Sequence, residues 1–374
     1  MKNTDRPPIA SLACVNHECP SYGQAGQGNL KVRKTYGPDR IRYLRCLNCQ
    51  SEFSERKNTP LWNSKISESK AITVADPANP SLQLAEGTSV RGTARLTGIT
   101  PEAIRRLAVR LGQQAKKFHD QRVQQLASTS LQADERWGFA GSKREQLWQA
   151  EVIDPATRLV VAFATGMRNE RLMEQVLQDA VSRLSYPQGV VLFSDGEPSY
   201  EKLFRPVFGS PYRPARKGSR GRFPNFRYRL SRRQAQVMVR KTKRGQRLVR
   251  VKTQIAHGSS KRVARELSRL GFEKPNTSTI ERRNGTARGM DATSVRKTLA
   301  FAKTMETKRV LGAWGVLVYN WARECRSLKR LLPQPKGRQL YERHSPAMAA
   351  GLTDRIWSVR ELLRSPTYPT GGQR

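Results

Sequence analysis

A mixed α+β architecture, a five-stranded sheet flanked by helices and preceded by two small modules, is what this 374-residue sequence predicts. Three observations predict it. Short apolar or alternating runs at 137–140, 147–153 and 159–164 are separated by Gly-Ser-Lys and Asp-Pro-Ala-Thr, which is turn chemistry, so they read as an antiparallel meander. A helical apolar period follows, and then Gly189-Val-Val-Leu-Phe, a short continuous run expected of a strand buried on both faces. Four cysteines in two close pairs precede all of this. Three strands, a helix, a strand and later helices is the element order of an RNase H-like domain, between α+β and α/β in class, although other folds share that order.

Charge narrows the function before any motif is considered. Lys and Arg number 69 against 30 Asp and Glu, a formal charge of +39, so a polyanion is the expected partner. The longest apolar run, Val310 to Tyr319, is far short of the roughly 20 residues of a membrane span, so no membrane role is expected. Four of the five cysteines lie before position 50, which describes one local site in a reducing compartment rather than a disulfide scaffold. The expected location is cytoplasmic, with the nucleoid.

Four regions are expected: 1–62, 63–127, 128–330 and a basic tail at 331–374. In the first, Cys14, Cys19, Cys46 and Cys49 form a C-x4-C and a C-x2-C pair, each able to present two thiolates to one Zn2+, which makes a small zinc ribbon. His17 is an alternative ligand to Cys14 or Cys19. In the second, Ser64 to Ser81 reads as a linker. Ser89 to Leu96, the turn Thr97-Gly98, and Thr100-Pro101-Glu102 opening another helix then form a helix-turn-helix pattern. Ile104, Leu107 and Leu111 fall inward on the second helix, leaving Arg105, Arg106 and Arg110 toward solvent or a DNA groove. An ordinary helical hairpin with a solvated basic face is the alternative.

In the third region Asn169 caps a helix whose buried stripe is Leu172, Val176, Ala180, Val181 and Leu184. Three carboxylates stand out there. Asp134 is expected to begin the first strand, Asp195 follows the buried strand, and Glu281 lies on a helix capped by Asn276 or Thr277. In an RNase H-like sheet the first and fourth strands are neighbours, so the two aspartates can meet and a later helix can deliver Glu281. That set can hold two Mg2+ or Mn2+ ions for in-line phosphoryl displacement. Glu135 alternates to the opposite face of a regular strand and is the weaker ligand. Asn284 and Arg288 share a helical face with Glu281, so Arg288 is placed to grip a phosphate and Asn284 to contact DNA. Cys325 reads as a packing residue on a helix, Val249 to Ile255 reads as a strand that leads to His257, and His119, His257 and His344 receive no role.

ADERWGFAGSK, FSDGEPSYEKL and STIERRNGTARGM, followed by RKTLAFAKTMETK, resemble the three catalytic blocks of the insertion-sequence-one family of bacterial DDE transposases. The cysteine head and helix-turn-helix resemble that family's front end. The resemblance implies a DDE triad on Asp134, Asp195 and Glu281 with Arg288 at the basic position, and DNA end cleavage and strand transfer by a multimeric enzyme. HSPAMAAGLTDRIWSVRELL is similar to closing segments of related integrase-core transposases. One departure is clear: 85 residues separate Asp195 from Glu281, more than in short family members. Between Arg205 and Arg250 that insertion carries sixteen Lys and Arg and no acid, with Tyr212, Phe223, Phe226 and Tyr228 interleaved. Arg222, Arg227 and Arg229 are its candidate DNA contacts, either in a built groove or in a loop ordered only by DNA.

The expected function is therefore a transposase that binds the terminal inverted repeats of an insertion sequence. Its partners would be double-stranded DNA, as element ends and as target, and further copies of itself. The alternatives are a non-catalytic DNA-binding regulator derived from a transposase, and a structure-specific RNase H-like nuclease.

Overall fold

The computed structural model describes residues 6–75, 87–216, 218, 222–245, 247–295, 299–337 and 339–368. The chain forms two compact units, Met1–Gln121 with Gly289–Val318 and Ile356–Arg374, and Arg122–Arg288 with Tyr319–Arg355.

The first unit opens with a three-stranded antiparallel sheet of Leu30–Tyr36, Ile41–Cys46 and Glu52–Ser54. Its small core consists of Leu12, Cys14, Cys19, Leu44, Cys46 and Phe53, so sulfur supplies half of the buried side chains. So little apolar surface does not stabilise a fold of this size without a further tie. A helix occupies Glu68–Ala75 inside the segment expected to be a linker, because Ala71, Val74 and Ala75 are buried at helical spacing; positions 76–81 of that segment lie outside the described residues. Helices Val90–Thr97 and Pro101–Arg122 follow, joined at Gly98, whose φ of 67° is the left-handed conformation that suits glycine. The longer helix buries Ile104, Leu107, Ala108, Leu111, Ala115 and Phe118 as one stripe. Gln114 holds the C-terminal segment through the Ser365 carbonyl at 2.9 Å, and Thr367 is buried beside it. Residues 339–342 form a strand and 359–364 a helix, so the region expected as a basic tail contains ordered elements.

The second unit is built on a mixed sheet: β1 (Ser130–Arg136), β2 (Trp148–Ile153), β3 (Val160–Gly166), β4 (Val191–Ser194), β5 (Ala235–Arg244) and β6 (Arg247–His257). The spatial order is β3-β2-β1-β4-β5-β6, with β4 parallel to both β1 and β5 and the other pairs antiparallel. Helices α1 (Glu170–Ser182), α2 (Pro198–Phe208), α3 (Ser260–Leu270) and α4 (Ser278–Met290) flank it. Asn169 caps α1 by accepting from the Leu172 amide at 3.0 Å, as expected from its short polar side chain.

Three expectations need correction here. The sheet has six strands rather than five, because the basic insertion folds back as the hairpin β5–β6 and its second arm pairs along the first. The stretch 205–250 is therefore not one loop; its start forms a small ribbon, Ser210–Tyr212 paired with Arg227–Arg229. The first strand is Ser130–Arg136, so Asp134 sits near its end, not its beginning, while Phe139–Ala140 pairs with Ser142–Gln146 in a separate ribbon.

Candidate active site

Parallel pairing of β1 with β4 places Ala133 opposite Ser194, so Asp134 and Asp195 emerge side by side where the two strands end. A parallel sheet buried on both faces exposes its chemistry at strand ends, which is where ligands collect in such sheets. Ligand oxygens of Asp134, Glu135 and Asp195 all lie within 4.8 Å of one another. Asp134 Oδ1 accepts from the Glu135 amide at 2.8 Å and its Oδ2 from Asn284 Nδ2 at 2.7 Å, while Asp195 Oδ1 accepts from the Glu197 amide at 3.1 Å. Burial, with the charges of Asp195 and Glu135 beside it, pushes the Asp134 carboxyl up to about 7. Burial and the Glu135 charge push Asp195 up to about 6.

Glu135 was expected on the opposite face, yet its carboxylate belongs to the acid group. Arg168 grips its Oε1 at 2.6 Å and the buried Tyr200 hydroxyl donates to its Oε2 at 3.1 Å, and this pair of donors fixes it there. Arg168 also reaches Glu197 at 2.8 Å and lies 5.0 Å over the Trp148 ring. Strand alternation describes where a Cβ points, not where a long side chain ends, which is why the sequence pattern missed it.

Glu281 comes from the first turn of α4, which Gln132 of β1 holds by its side chain: Oε1 accepts from the Ile280 amide and Nε2 donates to the Asn276 carbonyl, each at 3.0 Å. Its carboxylate is half exposed, paired with Lys241 of β5 and bonded by the Thr277 hydroxyl at 2.8 Å. Its charge adds to the rise at Asp134, but its oxygens lie outside the close three-acid group. Arg288 is half-buried in the last turn of α4. Asn284, expected to contact DNA, is instead 4% exposed and bonded within the protein.

The donor chemistry of the acid group fits a hard divalent cation: the donors are carboxylate oxygens, crowded and desolvated enough that a positive ion relieves their repulsion. The cysteine site fits a different ion. Sγ atoms of Cys14 and Cys49 are 3.6 Å apart and those of Cys19 and Cys46 3.9 Å, and all four lie within 4.8 Å of each other. A tetrahedron with bonds of about 2.3 Å separates its sulfurs by about 3.8 Å, the geometry of a structural Zn2+ site. Asn29 donates to Cys46 Sγ at 3.2 Å, burial pushes the Cys14 and Cys19 thiols up, and the Ser51 hydroxyl lowers Cys49 to about 6. His17 packs against Tyr22 with ring centroids 4.3 Å apart and the planes tilted by 36°. Cys325, expected on a helix, is half-buried just before the short turn Arg326–Leu328.

Of the basic candidates, Arg105 and Arg106 are exposed and bind Glu102, whereas Arg110 was expected outward and is half-buried, donating to the Trp62 carbonyl at 3.0 Å. The helix is long enough for its later turns to pack against the head, and that draws Arg110 in. Arg222, Arg227 and Arg229 are exposed. Arg229 lies 5.0 Å over Tyr212 and Arg213 4.7 Å over Phe226, leaving aromatic and cationic surface together.

Residues 128–208 match the family model described as IS1 transposase. A 72-residue stretch, 19% of this chain, is 39% identical to the insertion element IS1 protein InsB of Shigella flexneri and covers 52% of it. The chain thus spans about half the length of that curated relative. Asp134, Glu135 and Asp195 all fall inside the residues that match this IS1 transposase family model, so the acid group and the similarity to that family coincide in the same stretch of chain.

Proposed function

We propose that this chain is an insertion-sequence transposase that cleaves DNA ends and joins them to target DNA with divalent cations held by Asp134, Asp195 and Glu281. The carrying observation is the meeting of Asp134 and Asp195 at matched ends of two parallel strands, with ligand oxygens of the acid group within 4.8 Å. Adjacency of the first and fourth strands supports an RNase H-like reading of the sheet. The bound cations would supply a nucleophile at neutral pH and neutralise charge on the phosphodiester in line. The chain's own groups do the rest: Asp134 and Asp195 hold their oxygens at one point, and Lys241, on the basic hairpin, brings a cation beside Glu281, where a DNA phosphate would arrive. Arg288 is proposed as a second phosphate contact.

The remaining regions have a DNA-binding reading. Residues 1–62 would be a zinc ribbon and 63–127 a helix-turn-helix that, with Arg105 and Arg106, recognises the terminal repeats; the hairpin and Arg222, Arg227 and Arg229 would track phosphate backbones of element ends and target. Copies of the chain would assemble on the DNA.

The test is cleavage of a labelled DNA end with Mg2+. Asp134→Asn and Asp195→Asn should each cut at least about 10³-fold more slowly than wild type, since several kcal/mol of transition-state stabilisation goes with the ion. Binding to the same DNA should be nearly unchanged. Wild-type cutting by Asp195→Asn would overturn the proposal, and binding without any cutting by wild type would favour the non-catalytic regulator.

A further inference from the structure

Behind Asp134 runs a chain of buried polar groups. Asn284 Nδ2 donates to Asp134 Oδ2 at 2.7 Å, and the same amide's Oδ1 accepts from Arg136 Nη1 at 2.7 Å. Arg136 Nη2 binds Glu151 Oε1 at 2.7 Å, which also accepts from Gln149 at 2.9 Å. Arg283 pairs with the other oxygen of Glu151 at 3.2 Å and stacks 4.3 Å over the Tyr319 ring. Glu151 is 0%, Arg136 5%, Asn284 4% and Arg283 2% exposed.

Such a set is expensive to bury, and it is held by charge pairing as much as by hydrogen bonds: Glu151 Oε2 and Arg283 Nε face each other as an ion pair without a formed hydrogen bond. Its chemistry dictates one arrangement. A guanidinium only donates and a carboxylate only accepts, so an amide between them must turn its oxygen to Arg136 and its N–H to Asp134. Two buried arginines face one glutamate, leaving one positive charge uncompensated; the ordered amide dipole directs it toward the ionised form of Asp134. Burial works against ionisation of Glu151, but the Arg136 and Arg283 charges outweigh it and hold its carboxyl low, so the far end of the chain stays charged.

We propose that Asn284, locked by Arg136 and Glu151, is a positioning residue that fixes one oxygen of Asp134 and so aims that carboxylate at a divalent cation. This rests on the reading of Asp134 as a metal ligand. It also explains why Asn284 lies on the Glu281 face of α4: one helix then supplies an acid to the site and the restraint on its strand partner.

The test is titration of the full-length protein with Mn2+, following free Mn2+ by electron paramagnetic resonance, with no DNA present. Asn284→Ala should weaken binding at the acid site about 10- to 100-fold, the usual effect of removing a group that orients a metal ligand. Arg136→Lys, which keeps a cation against Glu151, should weaken it less and in the same direction. Asp134→Asn is the control for the underlying reading. If it binds Mn2+ like wild type, the metal site itself is wrong and this inference falls with it. If Asp134→Asn binds weakly while folded Asn284→Ala or Arg136→Lys matches wild type, only the positioning role is overturned.

Discussion

Asp134 and Asp195 carry the cost of the site in their own ionisation. Both titrate higher in the fold than the usual carboxylate value of about 3.9, at about 7 and about 6. Between about pH 4 and 7 the metal-free native state therefore holds protons that the unfolded chain has released. Stability must fall as pH rises through that window, because the unfolded state binds fewer protons there. Thermal melts of metal-free protein should show the midpoint dropping from pH 5 to pH 7.5, with Mg2+ restoring it at the upper end; a midpoint that rises with pH would contradict the crowding of these acids. The cysteines follow a related logic. Cys46→Ser should lower bound zinc from one ion per chain to a small fraction, measured by elemental analysis, and leave residues 12–53 open to protease, because too little apolar core remains without the ion. At this scale the sequence was readable for residues whose chemistry is rare in a basic chain: Asp134, Asp195 and the four cysteines. It was not readable for Glu135 or for the Asn284–Arg136–Glu151 chain, because an amide between two charges is defined by tertiary adjacency across 148 residues, which no local pattern encodes.

Helices and strands show the same division between local and distant causes. The Asn169 cap and the doubly buried β4 follow from local periodicity and appear where the pattern places them, as does the α1 stripe at Leu172, Val176 and Ala180, whereas Val181 is half-buried and Leu184 lies beyond the helix end. The hairpin β5–β6 is legible only in part: Val249 to Ile255 on its outer arm reads as a strand, but the seven Lys and Arg of the two arms look like a charged loop until a neighbour pairs with them. Its role is expected to be electrostatic. Replacing Arg227 and Arg229 together by Ala, on the adjoining ribbon, should weaken DNA binding and reduce the slope of log affinity against log salt by about 1.8, or 0.9 per phosphate contact. An unchanged slope in a fluorescence anisotropy titration would remove these two residues from the DNA surface. In the first unit, the helix Pro101–Arg122 approaches its neighbour so closely at Gly112 that a Cβ there would lie 2.4 Å from Val310 Cα. Helix propensity alone favours alanine by about 1 kcal/mol. The clash is with backbone, however, so Gly112→Ala should destabilise by about 1–3 kcal/mol net, seen as a lower urea midpoint.

At the scale of the whole molecule, a chain of formal charge +39 contains one close group of acids, Asp134, Glu135 and Asp195. That contrast fits the proposed reading, in which basic surface would gather phosphates and the acids would gather the cations that let a phosphate be attacked. The third acid stands apart: Glu281 pairs with Lys241, while Asp134 and Asp195 lie together with Glu135. Arrival of cations and DNA is expected to exchange that Lys241 pair, freeing Glu281 for the metal side and Lys241 for a phosphate. The most direct measurement is the anomalous scattering of Mn2+ in crystals of the protein. The expected result is a strong peak bonded to Asp134 and Asp195, absent in Asp195→Asn; well-ordered crystals with no peak there, or a peak indifferent to that substitution, would contradict a two-aspartate metal centre.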